Sequence, residues 1–278
     1  MFNKFIKRYF PKKEEPNTFN LSICCIIKNE NEYLEEWIKY HLKIGVEHFY
    51  IYDNDSKVPV KSTLQKLQLA GFTTVIRISG RARQIKAYKD CLSRFGNYSN
   101  WIAFIDTDEF IVPKEPKGDL PTFLKSYEQY GGLGINWLIF GSNGHIKRTF
   151  KPQLESFTMR SEEDFITNKH IKTIVQPKYV AGVIGSHSFS FEEGKFCVNE
   201  NFDPITGAFS DNSVNKIQLN HYYCRSMEEY EDKIKRGLGD TRRKRTMDEF
   251  HTHNSDSNKL EDTTILEIRD GGKDGTAF

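Results

Sequence analysis

The chain has 278 residues, of which 28% are charged, and its formal net charge is +2 at pH 7. This length accommodates one large α/β domain or two small ones, and the nearly balanced charge gives no reason to expect nucleic acid as a partner. The five cysteines form no CxxC pair, and no segment has the pattern of a signal peptide or the roughly 20 apolar residues of a membrane-spanning helix. We therefore expect reduced cysteines and a cytoplasmic protein.

Residues 1–19 form a basic N-terminal segment and linker before the first predicted strand. Its apolar residues recur at helical spacing opposite three basic ones: Phe2, Phe5, Ile6, Tyr9 and Phe10 against Lys4, Lys7 and Arg8. Such a pattern is typical of a helix that lies on an anionic membrane surface, and a terminal helix that frays or docks on the core is the alternative. The first interpretation predicts peripheral contact with the inner face of a membrane.

Strands and helices alternate strictly through residues 20–113. The apolar patterns predict strands at 21–27, 46–52, 72–78 and 101–105, with helices at 33–42, 59–69 and 81–95 between them. Because this alternation is typical of βαβ units, the sequence predicts an α/β fold with a mostly parallel central sheet.

The second half, residues 114–245, is less regular but belongs to the same predicted domain of 20–245. Strands are predicted at 135–140, 171–175 and 180–184, and Ser226 with Glu229 has the form of a helix-opening capping box. Residues 246–278 are polar and weakly periodic, so we expect a C-terminal tail that wraps the surface or is disordered.

Two carboxylates, Asp106 and Asp108, follow the buried strand at 101–105 one residue apart. In open α/β sheets, ligands bind beyond the carboxyl ends of the strands. Carboxylates placed there suit Mn²⁺ or Mg²⁺, which proteins hold with one or two such groups together with substrate phosphates. The alternative is a polar strand end that enters a loop. The pattern disfavours an EF-hand, since apolar residues follow Glu109 in place of further oxygen ligands.

Polar residues also follow two earlier strands, and all three strand ends should share one edge of the sheet. A nucleotide fits this edge, because amide and acidic groups suit a base and a ribose while cations suit a diphosphate. The candidate residues for nucleotide binding are Lys28, Asn29, Glu30, Asp53, Asn54, Arg83, Gln84, Asp106, Thr107 and Lys172.

With these motifs the sequence resembles glycosyltransferase family 92, a group of inverting, metal-dependent enzymes with the GT-A (Rossmann-like) fold that is related to family 2. The similarity runs from about residue 20 to 240. It rests on motifs in a fixed order: Lys28-Asn29-Glu30, Tyr52-Asp53-Asn54-Asp55-Ser56, Asp106-Thr107-Asp108-Glu109-Phe110, Phe140-Gly141-Ser142, Lys172-Thr173-Ile174, His187-Ser188-Phe189 and Asn220-His221-Tyr222.

The resemblance implies roles for individual residues. Asp106 and Asp108 would hold Mn²⁺ or Mg²⁺ against the diphosphate, and Asp53 would face uracil. His221 would complete the metal shell, with His187 as second choice and a purely structural histidine as the alternative.

The catalytic base is the least determined role. We assign it to Glu155, against four other acidic residues: Glu162, Glu163, Asp164 and Asp211.

Two groups of basic residues lie near residue 240. Lys233, Lys235 and Arg236 sit where cations favour a helix C-terminus. The later cluster, residues 242–245, is suited to close over a donor diphosphate or to hold an anionic lipid-linked acceptor.

The resemblance therefore implies a metal-dependent inverting transferase that moves a sugar from UDP to a glycan or lipid-linked glycan in polysaccharide assembly, with galactose as the sugar that the family suggests. Two alternatives stay open. One is a phosphatase or phosphotransferase that uses Asp106 as nucleophile and Asp108 as acid. The other is a non-catalytic module that binds nucleotide sugars.

Overall fold

The computed structural model describes residues 19–271, so the predicted N-terminal membrane segment lies outside the described residues. The first half has the predicted alternation of strands and helices. Its elements are β1 (Phe19–Ile27), α1 (Leu34–Lys43), β2 (His48–Asp53), α2 (Val60–Lys66), β3 (Thr73–Arg77), α3 (Gln84–Phe95) and β4 (Ser99–Phe104).

The second half has shorter elements, many of them strands of two to five residues. They are β5 (Glu109–Pro113), α4 (Leu120–Leu124), β6 (Gly132–Ile139), α5 (Gln153–Ser156), β7 (Met159–Arg160), β8 (Ile171–Val175), β9 (Val180–Val183), β10 (Phe189–Phe191), β11 (Cys197–Val198), β12 (Pro204–Ile205), β13 (Ile217–His221), α6 (Met227–Arg236), α7 (Met247–Asp256), β14 (Leu260–Glu261) and α8 (Thr264–Asp270).

The central sheet has the strand order β12-β11-β6-β8-β4-β1-β2-β3. Strands β4, β1, β2 and β3 run parallel, while β8 is antiparallel to both β4 and β6. The predicted α/β class with a mostly parallel sheet is confirmed. Because β1, β2 and β4 point the same way, their carboxyl ends share one edge.

Strand β13 joins the sheet beside β6 and is antiparallel to β5. The register pairs His221 with Glu109, just after the two predicted metal-binding carboxylates. A residue from the distant C-terminal part is thereby fixed next to the end of β4.

The core has two layers, one on each face of the sheet, because side chains alternate along β1. Leu21, Ile23 and Cys25 pack in the layer of α1, whereas Cys24 packs with Cys91 in the layer of α3. All five cysteines are free and buried, in agreement with the prediction of reduced packing residues. Among residues 19–271, no helix is long and apolar enough to cross a membrane.

The segment after residue 245 differs from the expected tail. It forms α7 and α8, and Ile265 and Ile268 join the main core. Thr246 and Glu249 make a capping box at the start of α7. These helices are short and carry few apolar residues each, so their periodicity is weak, and burial against the rest of the domain stabilises them.

Candidate active site

A cleft of about 1380 Å³ opens at the carboxyl edge of β1, β2 and β4. Most residues predicted from the strand ends line it, together with both predicted metal-binding carboxylates and the predicted histidine. They are Lys28, Asn29, Glu30, Asn54, Gln84, Asp106, Thr107, Asp108, Lys172 and His221. The structure thus brings into one cavity residues that are separated by up to 193 positions in the sequence, from Lys28 to His221.

Asp106 is held by two side chains from different elements. Nε2 of Gln84, at the start of α3, donates to Oδ1 at 2.7 Å. Nζ of Lys172, on β8, donates to Oδ2 at 2.6 Å. Lys172 is 1% exposed, while Asp106 keeps 33% of its side chain exposed. These two donors therefore fix the orientation of the Asp106 carboxylate, which stays exposed to the cleft.

Asp108 is more deeply buried and has a lysine of its own. Nζ of Lys233, on α6, donates to Oδ2 at 2.7 Å, and Nε2 of His221 lies 3.7 Å from the same oxygen. Burial raises the pKa of Asp108, but Lys233 and His221 together hold it well below its usual value. Asp108 is therefore ionised at neutral pH.

His221 is buried between Asp108 and Glu109, with Nδ1 3.9 Å from Oε1 of Glu109. Burial lowers the pKa of His221 although Asp108 opposes this, so the imidazole is neutral and able to act as a ligand. Burial raises the pKa of Glu109 to about 8 against the influence of Lys172. A Glu109 that keeps its proton adds no second negative charge behind Asp108.

Glu30 forms a second buried ionic group. Thr107 Oγ1 donates to one of its oxygens, while Arg225 and Arg236 contact the other at 3.0 and 2.9 Å. Burial raises the pKa of Glu30, but the two arginines lower it to about 2. Arg225 is 2% exposed, and its Nε and Nη2 have no hydrogen-bond partner among the described residues.

Arg225 and Lys233 are site residues that the sequence interpretation missed or misread. Arg225 was not singled out. Lys233 was expected to interact with the end of α6, but its partner Asp108 lies 125 positions earlier in the chain. No local pattern contains such a pairing. The later basic cluster does line the cleft, and we call residues 236–245 the basic segment; its cations are Arg236, Arg242, Arg243, Lys244 and Arg245.

Two residues predicted to bind the nucleotide point elsewhere. Asp53 accepts hydrogen bonds from the backbone N–H groups of Ser56 and Val60, at 3.0 and 3.1 Å, and does not line the cleft. Its role is to cap the turn and the start of α2. Arg83 donates to the carbonyl oxygen of Ser79 at 2.7 Å and is likewise absent from the cleft.

Glu155 lies outside the cleft, so its assignment as catalytic base is not supported by the structure. Its carboxylate pairs with Arg269 of α8 at 2.8 Å. The competing acidic residues 162–164 and 211 do not line the cleft either. These positions were inferred from order along the chain, whereas the packing of α5, which carries Glu155, places its carboxylate beside Arg269 of α8.

His187, the second metal candidate, lies in the cleft wall. Its Nδ1 is 2.7 Å from the carbonyl oxygen of Ile171, and burial lowers its pKa to about 3. Because Nδ1 faces an acceptor, the proton is on Nδ1 and the Nε2 lone pair is free.

Among residues 19–271, no three His, Cys, Asp or Glu side chains form a ready-made metal cluster. The donor set nevertheless suits Mn²⁺ or Mg²⁺, since Asp106, Asp108 and neutral His221 all reach the same cleft. The charge that a cation would supply is provided by Lys172 and Lys233. A cation at Asp108 would therefore compete with Lys233.

The sequence model of glycosyltransferase family 92 matches residues 19–271. A family 92 protein of Ricinus communis is 26% identical over 231 residues, which cover 80% of this chain and 38% of that protein. Galactan beta-1,4-galactosyltransferase GALS2 of Arabidopsis thaliana is 27% identical over 179 residues, which cover 58% of this chain and 34% of the relative. The chain thus spans little more than a third of the length of these relatives.

Among solved structures, residues 1–349 of S. aureus TarS in complex with UDP align with a TM-score of 0.39 and 15% identity, covering 57% of this chain and 47% of that fragment. A likeness this distant adds nothing to the assignment of individual residues.

Proposed function

Since the chain belongs to glycosyltransferase family 92, we propose that it moves a hexose from a UDP-sugar to a hydroxyl group of a glycan or lipid-linked glycan, with inversion at the anomeric carbon. The galactosyltransferase relative favours galactose as the sugar. Contact with an anionic membrane through residues 1–19 is part of the same proposal.

The observation that carries the proposal is the pairing of Asp106 and Asp108 with a cleft that is rich in cations. Arg225, Arg236 and the rest of the basic segment line the same cavity as the two carboxylates. A diphosphate needs several positive charges and N–H donors, and arginine supplies both. The buried guanidinium of Arg225 pairs with Glu30 and stacks on the Tyr33 ring, so its positive charge is fixed beside this cavity.

Asp106, Asp108 and His221 would hold Mn²⁺ or Mg²⁺, which when bound would stabilise the negative charge that develops on the departing UDP. Other side chains of the protein orient these ligands and bind the diphosphate. Gln84 and Lys172 orient Asp106, and the cations of the basic segment would hold phosphate oxygens. Holding the diphosphate in this way would restrict the position of the transferred sugar next to the acceptor hydroxyl.

Asp240 replaces Glu155 as the proposed base. It lines the cleft and accepts a hydrogen bond from Ser186 Oγ at 3.0 Å. The other cleft carboxylates are engaged by cations or caps, as Asp108 is by Lys233 and Glu30 by Arg225. Among the described residues Asp240 has no ion pair, so its carboxylate is available to accept the proton of an acceptor hydroxyl.

A screen of nucleotide sugars tests this function without knowledge of the acceptor, because water slowly replaces the acceptor in donor hydrolysis. With Mn²⁺ present, we expect release of UDP from UDP-galactose or another UDP-hexose, and loss of that release in EDTA. Absence of hydrolysis for every UDP-hexose, together with cleavage of an aryl phosphate, would point to the phosphatase alternative.

A further inference from the structure

The most exposed apolar side chains border the cleft. Among residues 19–271, six large apolar side chains are more than half exposed: Val58, Ile146, Phe150, Ile166, Ile184 and Phe209. Val58 lines the cleft, four others lie within two residues of a lining residue, and Phe209 pairs with His170, which also lines it. Apolar surface gathered at one edge of a protein marks a site of interaction with a partner or a membrane.

The charges beside these side chains differ from loop to loop. Ile166, for example, follows three acidic residues at 162–164. The loop after β6 is different, because residues 141–154 contain no acidic residue. We call residues 144–151 the Phe150 loop; its sequence is Gly-His-Ile-Lys-Arg-Thr-Phe-Lys. It combines two exposed apolar side chains with three cations and carries no carboxylate.

The tips of the Phe150 loop alternate between apolar and basic groups. The ring of Phe150 projects fully into solvent, and Ile146 is 64% exposed. Lys147 and Lys151 are exposed beside them, and the contact of Lys147 with Glu228 at 3.3 Å is a surface ion pair of the kind that contributes little. Such a surface can place apolar groups among acyl chains while its ammonium groups stay at the level of the lipid head groups.

The backbone of the Phe150 loop is held against α6. The N–H groups of the first two residues of α6 donate to the carbonyl oxygens of His145 and Ile146, at 3.2 and 3.0 Å. The guanidinium group of Arg148 contacts Glu32 and Asp232, so this cation anchors the loop. The exposed side chains are therefore presented by a fixed backbone.

The basic segment lies at the other end of α6. This helix has ten residues and so is about 15 Å long. Residues 242–244 of the basic segment are three exposed cations. Both the Phe150 loop and the basic segment contribute residues to the cleft lining. They therefore lie at the same edge of the molecule, close enough to meet one flat surface.

We propose that the Phe150 loop and the exposed cations of the basic segment dock this edge of the protein on an anionic phospholipid bilayer, with Phe150 and Ile146 among the acyl chains. The partner is inferred from charge, since five exposed cations complement anionic head groups: Lys147, Lys151 and residues 242–244. The inference goes beyond the proposed function and does not depend on residues 1–19. One consequence does rest on the proposed function: a cleft that faces the bilayer favours a lipid-linked acceptor over a soluble glycan.

The test measures sedimentation of the full chain with vesicles of phosphatidylcholine, with and without phosphatidylglycerol. We expect wild type to bind the anionic vesicles, and Phe150→Ala to bind them about tenfold more weakly because one inserted ring is lost. Phe150→Ala should unfold like wild type, since this ring is fully exposed. Phe72→Ala is the matched control, because Phe72 is an exposed phenylalanine, 43% accessible, at the opposite edge of the sheet.

An introduced tryptophan separates the Phe150 loop from residues 1–19. Lipids with brominated acyl chains should quench the fluorescence of Phe150→Trp more strongly than that of wild type, whose three tryptophans are buried. Phe72→Trp should show no added quenching. Equal quenching of the two variants, or vesicle binding that Phe150→Ala leaves unchanged, would overturn the proposal. Self-association that Phe150→Ala abolishes, in a protein that binds no vesicles, would overturn it in favour of a second copy of the chain.

Hydrolysis of UDP-galactose, measured in parallel, keeps this inference distinct from the proposed function. Phe150→Ala should hydrolyse the donor at the wild-type rate. Vesicle binding that depends on Phe150, in a protein that hydrolyses no UDP-hexose, would support the docking surface and count against the proposed transferase.

Discussion

Nζ of Lys233 lies 2.7 Å from Oδ2 of Asp108, the oxygen that also faces Nε2 of His221 at 3.7 Å. Asp106 has an equivalent partner in Lys172, at 2.6 Å. The two carboxylates that a cation would bind are thus neutralised by lysines of the same chain. Lys233 also donates to the carbonyl oxygens of Tyr222 and Tyr223, so its ammonium group keeps partners when it leaves Asp108.

Replacement of Lys233 by methionine should make folding stability depend on metal. The substitution leaves the buried Asp108 without its counter-charge, which costs about 3–5 kcal/mol in such pairs. We expect urea unfolding to show this loss in EDTA, and Mn²⁺ to stabilise the variant more than the wild type because it binds the folded state. Lys235→Met, on the same helix but 71% exposed, is the control. Equal stabilisation of both variants by Mn²⁺ would contradict the competition between Lys233 and metal.

Glu30 should make the protein sensitive to acid. Its pKa is lowered from 4.5 to about 2 in the folded state, where burial opposes the effect of Arg236 and Arg225. A lowered carboxyl pKa adds stability above pH 4.5, and this stability is lost as the pH falls toward 2; the full effect is about 3 kcal/mol. Urea unfolding between pH 5 and 2.5 should therefore show a shallower decline in Glu30→Gln than in wild type. Parallel curves would show that the two arginines do not stabilise this carboxylate.

Asp53→Ala separates capping from nucleotide binding. The change removes the acceptor for the N–H groups of Ser56 and Val60, and we expect a loss of about 1 kcal/mol in the free energy of unfolding. Affinity for UDP should stay within twofold of wild type, because Asp53 does not line the cleft. A tenfold or larger loss of UDP affinity, measured by calorimetry, would restore the interpretation that Asp53 faces uracil.

Asp240→Asn tests the assignment of the base. Removal of a general base typically costs on the order of 10²–10⁴-fold in rate, while binding of UDP should persist because the cations of the cleft are retained. Asp232→Asn is matched to it, since Asp232 also lines the cleft but pairs with Lys235 at 3.0 Å. A similar turnover in both variants would remove Asp240 from the mechanism.

The sequence predicted what local patterns encode. The apolar run before Asp106 and the capping box at Ser226 both form as expected. Long-range ion pairs, such as that of Lys233 with Asp108, were not predicted from the sequence. The ion pair between Glu155 and Arg269 is also long-range, and it was not predicted because it depends on how α8 packs.

Asp53 is a different case, because the structure places it at a cap while its contact with uracil stays a prediction. Its spacing to Ser56 is a common turn pattern, and this local signal favoured a cap over a ligand. The C-terminal helices were not predicted from the sequence. In α8, for example, only Ile265 and Ile268 are buried, and one such pair gives little periodicity.

The most direct test of the account is calorimetric titration of UDP into wild type and Asp108→Asn, with and without Mn²⁺. Because Asp108 and Asp106 are proposed to hold one cation against the diphosphate, wild type should bind UDP at least tenfold more tightly with Mn²⁺ than in EDTA. Asp108→Asn should lose this difference while keeping its circular dichroism spectrum. Binding of UDP that is equally tight with Mn²⁺ and in EDTA, or unchanged in Asp108→Asn, would contradict the proposal.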